Sequence, residues 1–385
     1  MNKLCKVAIF TSIRSEYGSL NYLIRAFSKA SDFHLDLLVG GAHLSEEFGN
    51  TINEIIGDGH KITARFPFLF SDNEPDVLTR SLSVLTCDMG RYLASARPDF
   101  LIVIGDRFEL LPVVSCALIL NIPIAHISGG EVSEGAIDNQ IRNGISKMSH
   151  IHFVATEMFK DNLIKMGEEP WRIAVCGELG LDEIVNLDLL SKEELFENLG
   201  LDINKQVICA TFHPETIDND ITAEFVYSLL KEIIKNEDIQ IVITSANFDH
   251  GGNDINAMLE SLSKQVKQIV YIQNLGKYKY FSLVKYCLLV LGNSSSGLVE
   301  VQSFNVPVLN IGKRQQGRFA NPNVYNSSVD IPTILEDLSF VLSEDFKFQY
   351  LNKPNLYRNE NTVNIILDFL RNMEKRNLLE KKSTY

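Results

Sequence analysis

The chain has 385 residues, 45% hydrophobic and 22% charged, with a formal net charge of -13. This length is too great for one ordinary domain and suits two of roughly 180 residues each, with the composition of a soluble globular protein. The acidic balance argues against nucleic acid or an anionic membrane surface as the main partner.

No window reaches the ~18 apolar residues that a membrane helix needs. The start, MNKLCKVAIFTS, runs into charged RSEYG too soon for a signal peptide and reads as a first strand. Six cysteines, at positions 5, 87, 116, 176, 209 and 287, lie far apart without a C-x-x-C pair, mostly inside apolar runs. That is how buried thiols look in a reducing compartment. The expectation is a cytoplasmic protein with no membrane or nucleic-acid partner. No Cys/His cluster has metal-ligand spacing, so no metal is expected.

Short β-branched runs alternate with longer stretches of helical period. In the first half the strands are expected at residues 6–10, 34–39, 100–104, 122–127, 150–155 and 172–176. Amphipathic stretches at 19–31, 45–58, 77–96 and 137–147 lie between them. The second half restarts the pattern with strands at 206–211, 240–245, 268–272, 287–291 and 306–311. Strands alternating with helices imply βαβ units and parallel sheets, an α/β fold in two halves with a cleft between them. Residues 182–205 are polar, with Ser191 before a charged helix and Gly200 as its stop, and are expected to connect the halves. The divisions are then 1–181, a connection at 182–205, 206–361, and a C-terminal helix and tail at 362–385. The charged run EKRNLLEKKSTY reads as a solvated, frayed end.

The chemistry-bearing residues follow the strand ends, where ligands bind in open parallel sheets. The first strand leads into Thr11-Ser-Ile-Arg14, a strand-to-helix turn whose amides suit phosphate. No G-x-G-x-x-G is present, so a nicotinamide dinucleotide is not indicated. His43 follows two glycines after the second strand. Asp106, Arg107 and Glu109 follow the FLIVI run, and Glu131 follows Gly129-Gly130 after IPIAHI. Two carboxylates and a guanidinium in one crevice suit proton transfer on an anionic substrate. Asp138 and Arg142 are one helical turn apart, the spacing of an ion pair.

In the second half His213 precedes a proline, which favours extended backbone. Gly292-Asn-Ser294-Ser295-Ser-Gly297 is a Gly/Ser turn before a helix, suited to a phosphate. Glu300 sits one turn into that helix, in reach of ribose hydroxyls, and Arg314 lies in the basic GKRQQGR segment. The order is acid/base groups first, phosphate-binding elements second.

The set SIRSEYG, GAHLSEEFGNT, GDRFE, ISGGEVSEGA, TFHPET, GNSSSG and GKRQQGR resembles the hydrolysing UDP-N-acetylglucosamine 2-epimerase family, in order and over nearly the whole chain. The resemblance implies two Rossmann-like domains whose parallel sheets face a central cleft, as in GT-B glycosyltransferases. It implies release of UDP from a UDP-2-acetamido sugar with inversion at C2, feeding sialic or legionaminic acid synthesis. The sugar is left open between UDP-GlcNAc and UDP-N,N'-diacetylbacillosamine. It also implies a homodimer or higher homo-oligomer and no cofactor.

By the same resemblance Asp106, Glu131 and Asp138 handle protons, and Arg14, His213, Ser294, Ser295 and Arg314 engage the diphosphate. His213 is counted among the catalytic residues. Glu300 takes the ribose, and His43, Arg107 and Asn247 join the substrate-binding set. There is one departure. The family's acid-acid-x-x-Arg-His reads Asp138-Asn139-Gln-Ile-Arg142-Asn143 here. Asparagine keeps hydrogen-bonding capacity but exchanges no proton near neutral pH. The alternatives are a non-hydrolysing 2-epimerase or GT-B glycosyltransferase, and a catalytically weakened UDP-sugar-binding protein.

Overall fold

A computed structural model describes residues 4–46, 49–70, 76–132, 137–185, 187–214, 221–246, 251–373 and 378–382. The chain divides into two compact units, residues 1–183 with 357–385, and residues 184–356.

The first unit is built on seven strands: β1 (Cys5–Thr11), β2 (Phe33–Gly40), β3 (Ile62–Phe66), β4 (Phe100–Ile104), β5 (Ile124–Ile127), β6 (Ile151–Val154) and β7 (Ile173–Val175). They form one parallel sheet in the order β3-β2-β1-β4-β5-β6-β7. Both faces are covered, so central strands are near-continuous apolar runs, and all five residues of β4 are buried. Side chains alternate between faces. Val7 and Ile9 join a core with Leu20, Phe27, Ile366 and Leu370, from the helices Arg14–Lys29 and Thr362–Asn372. Ala8 and Phe10 join the opposite core with Leu85, Met89 and Val113, from the helices Val77–Ala96 and Leu110–Ile119.

The second unit repeats the plan with β8 (Gln206–Thr211), β9 (Ile239–Thr244), β10 (Ile269–Ile272), β11 (Leu289–Gly292), β12 (Val308–Ile311) and β13 (Val324–Ser327). Its strands are also parallel, in the order β10-β9-β8-β11-β12-β13. The two-sheet α/β architecture expected from the sequence is therefore present. Chain winding reverses between β1 and β4 in one sheet and between β8 and β11 in the other. Such switch points open a crevice at the carboxyl ends of the strands.

Three local differences from the sequence reading have physical causes. The edge strands β3 and β13 are additional; each is only partly buried, so neither shows a continuous apolar run. The helix Lys192–Leu199 is more than a connection. Ser191 and Glu194 form its capping box, Gly200 ends it, and Leu195, Phe196 and Leu199 lie in the core of the second unit.

Residues 378–382 of the tail are docked rather than solvated. Leu378 is fully buried in the first unit's core. The buried Arg172 donates to the carbonyls of Leu378 (2.8 Å), Glu380 (2.7 Å) and His150 (3.2 Å), and pairs with Glu169 at 2.7 Å. Lys381 reaches the buried carboxylate of Glu168 at 2.7 Å. Burying a guanidinium is costly unless its donors are engaged, and the tail carbonyls engage them. Among the described residues no helix is long and apolar enough to cross a membrane.

Candidate functional site

The ends of β4 and β5 deliver the two acids. Asp106 follows β4 after Gly105, and Glu131 follows β5 after Gly129-Gly130. Gly130 has φ +76, and a Cβ there would come within 2.3 Å of the Phe159 carbonyl oxygen. Only glycine makes the turn that presents Glu131. The helix Ile137–Met148 supplies Arg142, whose side chain is 6% exposed. Its Nη2 donates to Asp106, and its Nη1 lies 3.9 Å from Glu131 Oε2. One buried guanidinium thus gathers two partly exposed carboxylates. That arrangement leaves both acids partly exposed beside one cation. Asp138 lies on the first turn of the same helix and is exposed; Asn139 and Asn143, half-buried, are also on it.

At the switch point between β1 and β4 a second charged group forms. Arg107 makes a two-pronged contact with the buried Glu109, Nε to Oε2 at 3.2 Å and Nη2 to Oε1 at 2.9 Å. Burial works against the Arg107 charge, but Glu109, with Glu16 and Asp138 adding their fields, holds the guanidinium further into its protonated range. Glu16 is buried, and its Oε2 accepts from the Ser12 amide (2.7 Å), the Ser12 hydroxyl (3.1 Å) and the Ile13 amide (3.4 Å). Burial pushes this carboxyl up to about 7, and nearby Glu109 adds to the rise; the Ser12 donors and Arg107 oppose it. The amides expected to cradle a phosphate at this turn are therefore occupied by the chain's own carboxylate.

Two further expectations meet a different geometry. Arg14 is exposed on the helix and pairs with Glu54 at 2.9 Å. His43 is fully buried, with Nε2 3.1 Å from Thr11 Oγ1 and Nδ1 2.8 Å from Thr51 Oγ1. Desolvation lowers its pKa to about 4, so it is a neutral ring braced by two hydroxyls. As a buried brace it presents no free face to a substrate.

In the second unit the switch point lies between β8 and β11. Gly292, at φ +127, ends β11 so close to β8 that a Cβ would meet the Thr211 carbonyl oxygen at 1.9 Å. This close approach brings Asn293 beside His213. The Asn293 side chain is buried and grips the His213 backbone at two points: its Oδ1 accepts from the amide at 2.7 Å and its Nδ2 donates to the carbonyl at 2.8 Å. The Asn293 carbonyl in turn accepts from Arg314 Nη1 (3.2 Å) and Gln315 Nε2 (2.8 Å). One residue therefore ties the His213 segment, the Ser294-Ser295 turn and the Arg314 segment together. The helix Ser295–Val299 has five residues, too few for much macrodipole, so an anion here would meet amides, hydroxyls and Arg314.

Glu300 ends that helix with Oε2 out of solvent and no hydrogen-bond partner among the described residues. Burial pushes its carboxyl up, against the Ser296 hydroxyl and Lys277, which favour the charged form. Ser296 is fixed by the Tyr280 hydroxyl at 2.8 Å. Gln315 Oε1 is a second buried acceptor without such a partner. Unsatisfied acceptors of this kind suit the hydroxyls or N–H groups of a nucleoside.

The structure thus brings together Asp106 and Glu131 in the first unit, and His213, Ser294, Ser295 and Arg314 in the second. Asn247 lies outside the described residues. Glu16 and Asn293, unassigned in the sequence reading, owe their roles to burial. The only sequence signal is position, since each adjoins a strand end in a motif already singled out. No group of three or more His, Cys, Asp or Glu side chains that could hold a metal occurs among the described residues.

A family model described as UDP-N-acetylglucosamine 2-epimerase matches residues 25–371. A Campylobacter jejuni protein named GDP/UDP-N,N'-diacetylbacillosamine 2-epimerase (hydrolyzing) is 36% identical over 344 residues, 89% of this chain and 88% of its own length. The Legionella pneumophila UDP-N,N'-diacetylbacillosamine 2-epimerase (hydrolyzing) is 31% identical over 90% of this chain and 91% of its own. The crystal structure of UDP-GlcNAc 2-epimerase from Neisseria meningitidis bound to UDP-GlcNAc superposes with a TM-score of 0.81 at 18% identity, over 95% of this chain and 99% of that one.

Proposed function

The chain belongs to the UDP-N-acetylglucosamine 2-epimerase family, and from that premise we propose that it is a hydrolysing 2-epimerase of UDP-2-acetamido sugars, with UDP-N,N'-diacetylbacillosamine as its preferred substrate. The observation that carries the chemistry is the gathering of Asp106 and Glu131 by Arg142 at adjacent strand ends. The sugar is favoured because two relatives above 30% identity are named for it.

In the proposed reaction a carboxylate removes the proton at C2 while the C1–O bond breaks. The electron pair of the C–H bond becomes the C1–C2 double bond of a glycal, and UDP leaves with the electrons of the C1–O bond. Water then adds its hydroxyl at C1, and a proton returns to C2 from the opposite face. Two acids in different positions serve the two faces. Arg314, His213 and the Ser294-Ser295 turn would receive the charge that develops on the diphosphate, and Glu300 would accept from ribose hydroxyls. UDP-sugars are cytoplasmic metabolites, so the reaction is assigned to the cytoplasm.

The test is incubation with UDP-N,N'-diacetylbacillosamine or UDP-GlcNAc in deuterated water, followed by NMR. The expected products are UDP and a free manno-configured sugar carrying deuterium at C2, formed faster from the diacetylbacillosamine. A UDP-linked epimer would instead support a non-hydrolysing enzyme. Binding without turnover would point to Asn139 and Asn143 as the mark of a binding protein.

A further inference from the structure

His126, a residue that the proposed chemistry does not use, lies on β5, the strand that leads to Glu131, and is fully buried. Its Nε2 is 2.8 Å from the Gly105 carbonyl oxygen and its Nδ1 is 3.0 Å from Ser146 Oγ. A carbonyl only accepts, so Nε2 carries the hydrogen. A neutral imidazole has one N–H, so Nδ1 accepts and the Ser146 hydroxyl donates. Burial keeps the ring neutral, lowering its pKa to about 3, with His152 and Arg142 opposing a charge in the same direction. One tautomer in one orientation satisfies both contacts.

These contacts close a circuit. Gly105 immediately precedes Asp106, and its own amide donates to the Ile127 carbonyl of β5 at 3.0 Å. Ser146 is one helical turn beyond Arg142 on the helix Ile137–Met148. Arg142 reaches back to Asp106. The loop that carries the acid and the helix that carries its guanidinium are thus bonded to the two nitrogens of one ring. We infer that His126 is a positioning residue, which sets the spacing of Asp106 and Arg142 through Gly105 and Ser146. The inference rests on the reading of Asp106 as a proton-transfer group. Displacement of a reacting group by about 1 Å costs on the order of a hundredfold in rate, which makes such a brace consequential.

The test compares His126→Phe, His126→Gln, Ser146→Ala and Asp106→Asn in the full chain, measuring kcat and KM for UDP-N,N'-diacetylbacillosamine and UDP affinity by calorimetry. His126→Phe keeps an aromatic ring, though a larger one, and removes both hydrogen bonds; kcat should fall about 10- to 100-fold, with KM and UDP affinity within about threefold. His126→Gln can still donate to the Gly105 carbonyl and should recover part of the rate. Ser146→Ala should lose about 3- to 10-fold by the same criterion, and it carries the test if His126→Phe does not fold. Wild-type kcat in His126→Phe or, failing that, Ser146→Ala, alongside an inactive Asp106→Asn, overturns the positioning role. So does a rate loss matched by loss of UDP affinity with no rescue by glutamine, which marks general loosening. A wild-type rate in Asp106→Asn overturns the proton-transfer reading instead.

Discussion

At the strand ends of the first unit the charged side chains are turned on one another. Arg142 holds Asp106 and lies near Glu131, Arg107 holds Glu109, and Glu16 caps the amides of Ser12 and Ile13. At the strand ends of the second unit the polar contacts run from side chain to backbone. Asn293 grips His213 and receives Arg314 and Gln315, while buried acceptors of Glu300 and Gln315 have no partner among the described residues. Both units wind their sheets in the same way and open a crevice at the same topological point. The comparison teaches that one scaffold can pair charged side chains with one another in one copy and order a loop through side-chain-to-backbone contacts in the other, which the proposed function uses for proton transfer and for an anionic ligand.

The largest effect should come from removing an acid in the first unit. Asp106→Asn or Glu131→Gln is expected to lower turnover by about a thousandfold or more in a continuous UDP-release assay, within the range of general acid–base catalysis. Near wild-type rates in both would remove these carboxylates from the proton-transfer role and break the comparison.

The docked tail bears on the first unit's stability rather than its chemistry. Leu378→Ala should destabilise the protein by about 3 kcal/mol in denaturant unfolding, the usual cost of truncating a fully buried leucine. UDP affinity should be unchanged. A loss below 0.5 kcal/mol (order of magnitude of a surface substitution) would mean that the tail is not part of the core.

Glu16 gives a pH signature. Its carboxyl titrates near 7 in the folded chain against 4.5 ordinarily. The folded state therefore holds a proton that the unfolded chain releases between these values, and stability falls as pH rises across that window, by about 3 kcal/mol. The buried neutral histidines act in the opposite sense. Their folded pKa values are depressed, to about 4 for His43 and about 3 for His126, so they lose stability as pH falls below 6.5. The difference between wild type and Glu16→Gln isolates the carboxylate. The variant should gain stability relative to wild type as pH rises from 5 to 7.5, and a flat difference would contradict the raised pKa.

A smaller effect is expected at Glu300, the proposed nucleoside acceptor. Glu300→Gln removes a charge but keeps an acceptor, and should weaken UDP binding about tenfold by calorimetry, or about 1.4 kcal/mol. No change would sharpen the comparison by shifting nucleoside recognition to Gln315 and the loop amides.

Much of this was legible in the residues because central strands of parallel sheets are apolar on both faces. FLIVI and VAIF announce themselves, whereas the edge strands ITARF and VYNS face solvent in part and do not. Asp106 and Glu131 were legible because a strand run and glycines precede them. Burial was not legible. The spacing that makes Glu16 a cap, with a pKa near 7, looks like any acid in a first helical turn. His43 reads as a residue beside a ligand until both ring nitrogens are found on threonine hydroxyls. Leu378 is concealed in a charged run, and its buried side chain, Arg172 on its carbonyl and Lys381 on Glu168 explain why this segment docks. Asn293 lies inside a recognised motif, but its grip on His213 depends on how closely Gly292 lets β11 approach β8.

The proposed division of labour between the units is tested most directly by UDP calorimetry on Asp106→Asn and Asn293→Ala side by side. Asp106→Asn should bind UDP within about threefold of wild type. Asn293→Ala, having lost both contacts to the His213 backbone, should bind at least about tenfold more weakly, the loss of one to two hydrogen bonds' worth of loop order. The reverse pattern, weakened binding in Asp106→Asn and wild-type affinity in Asn293→Ala, would contradict the account.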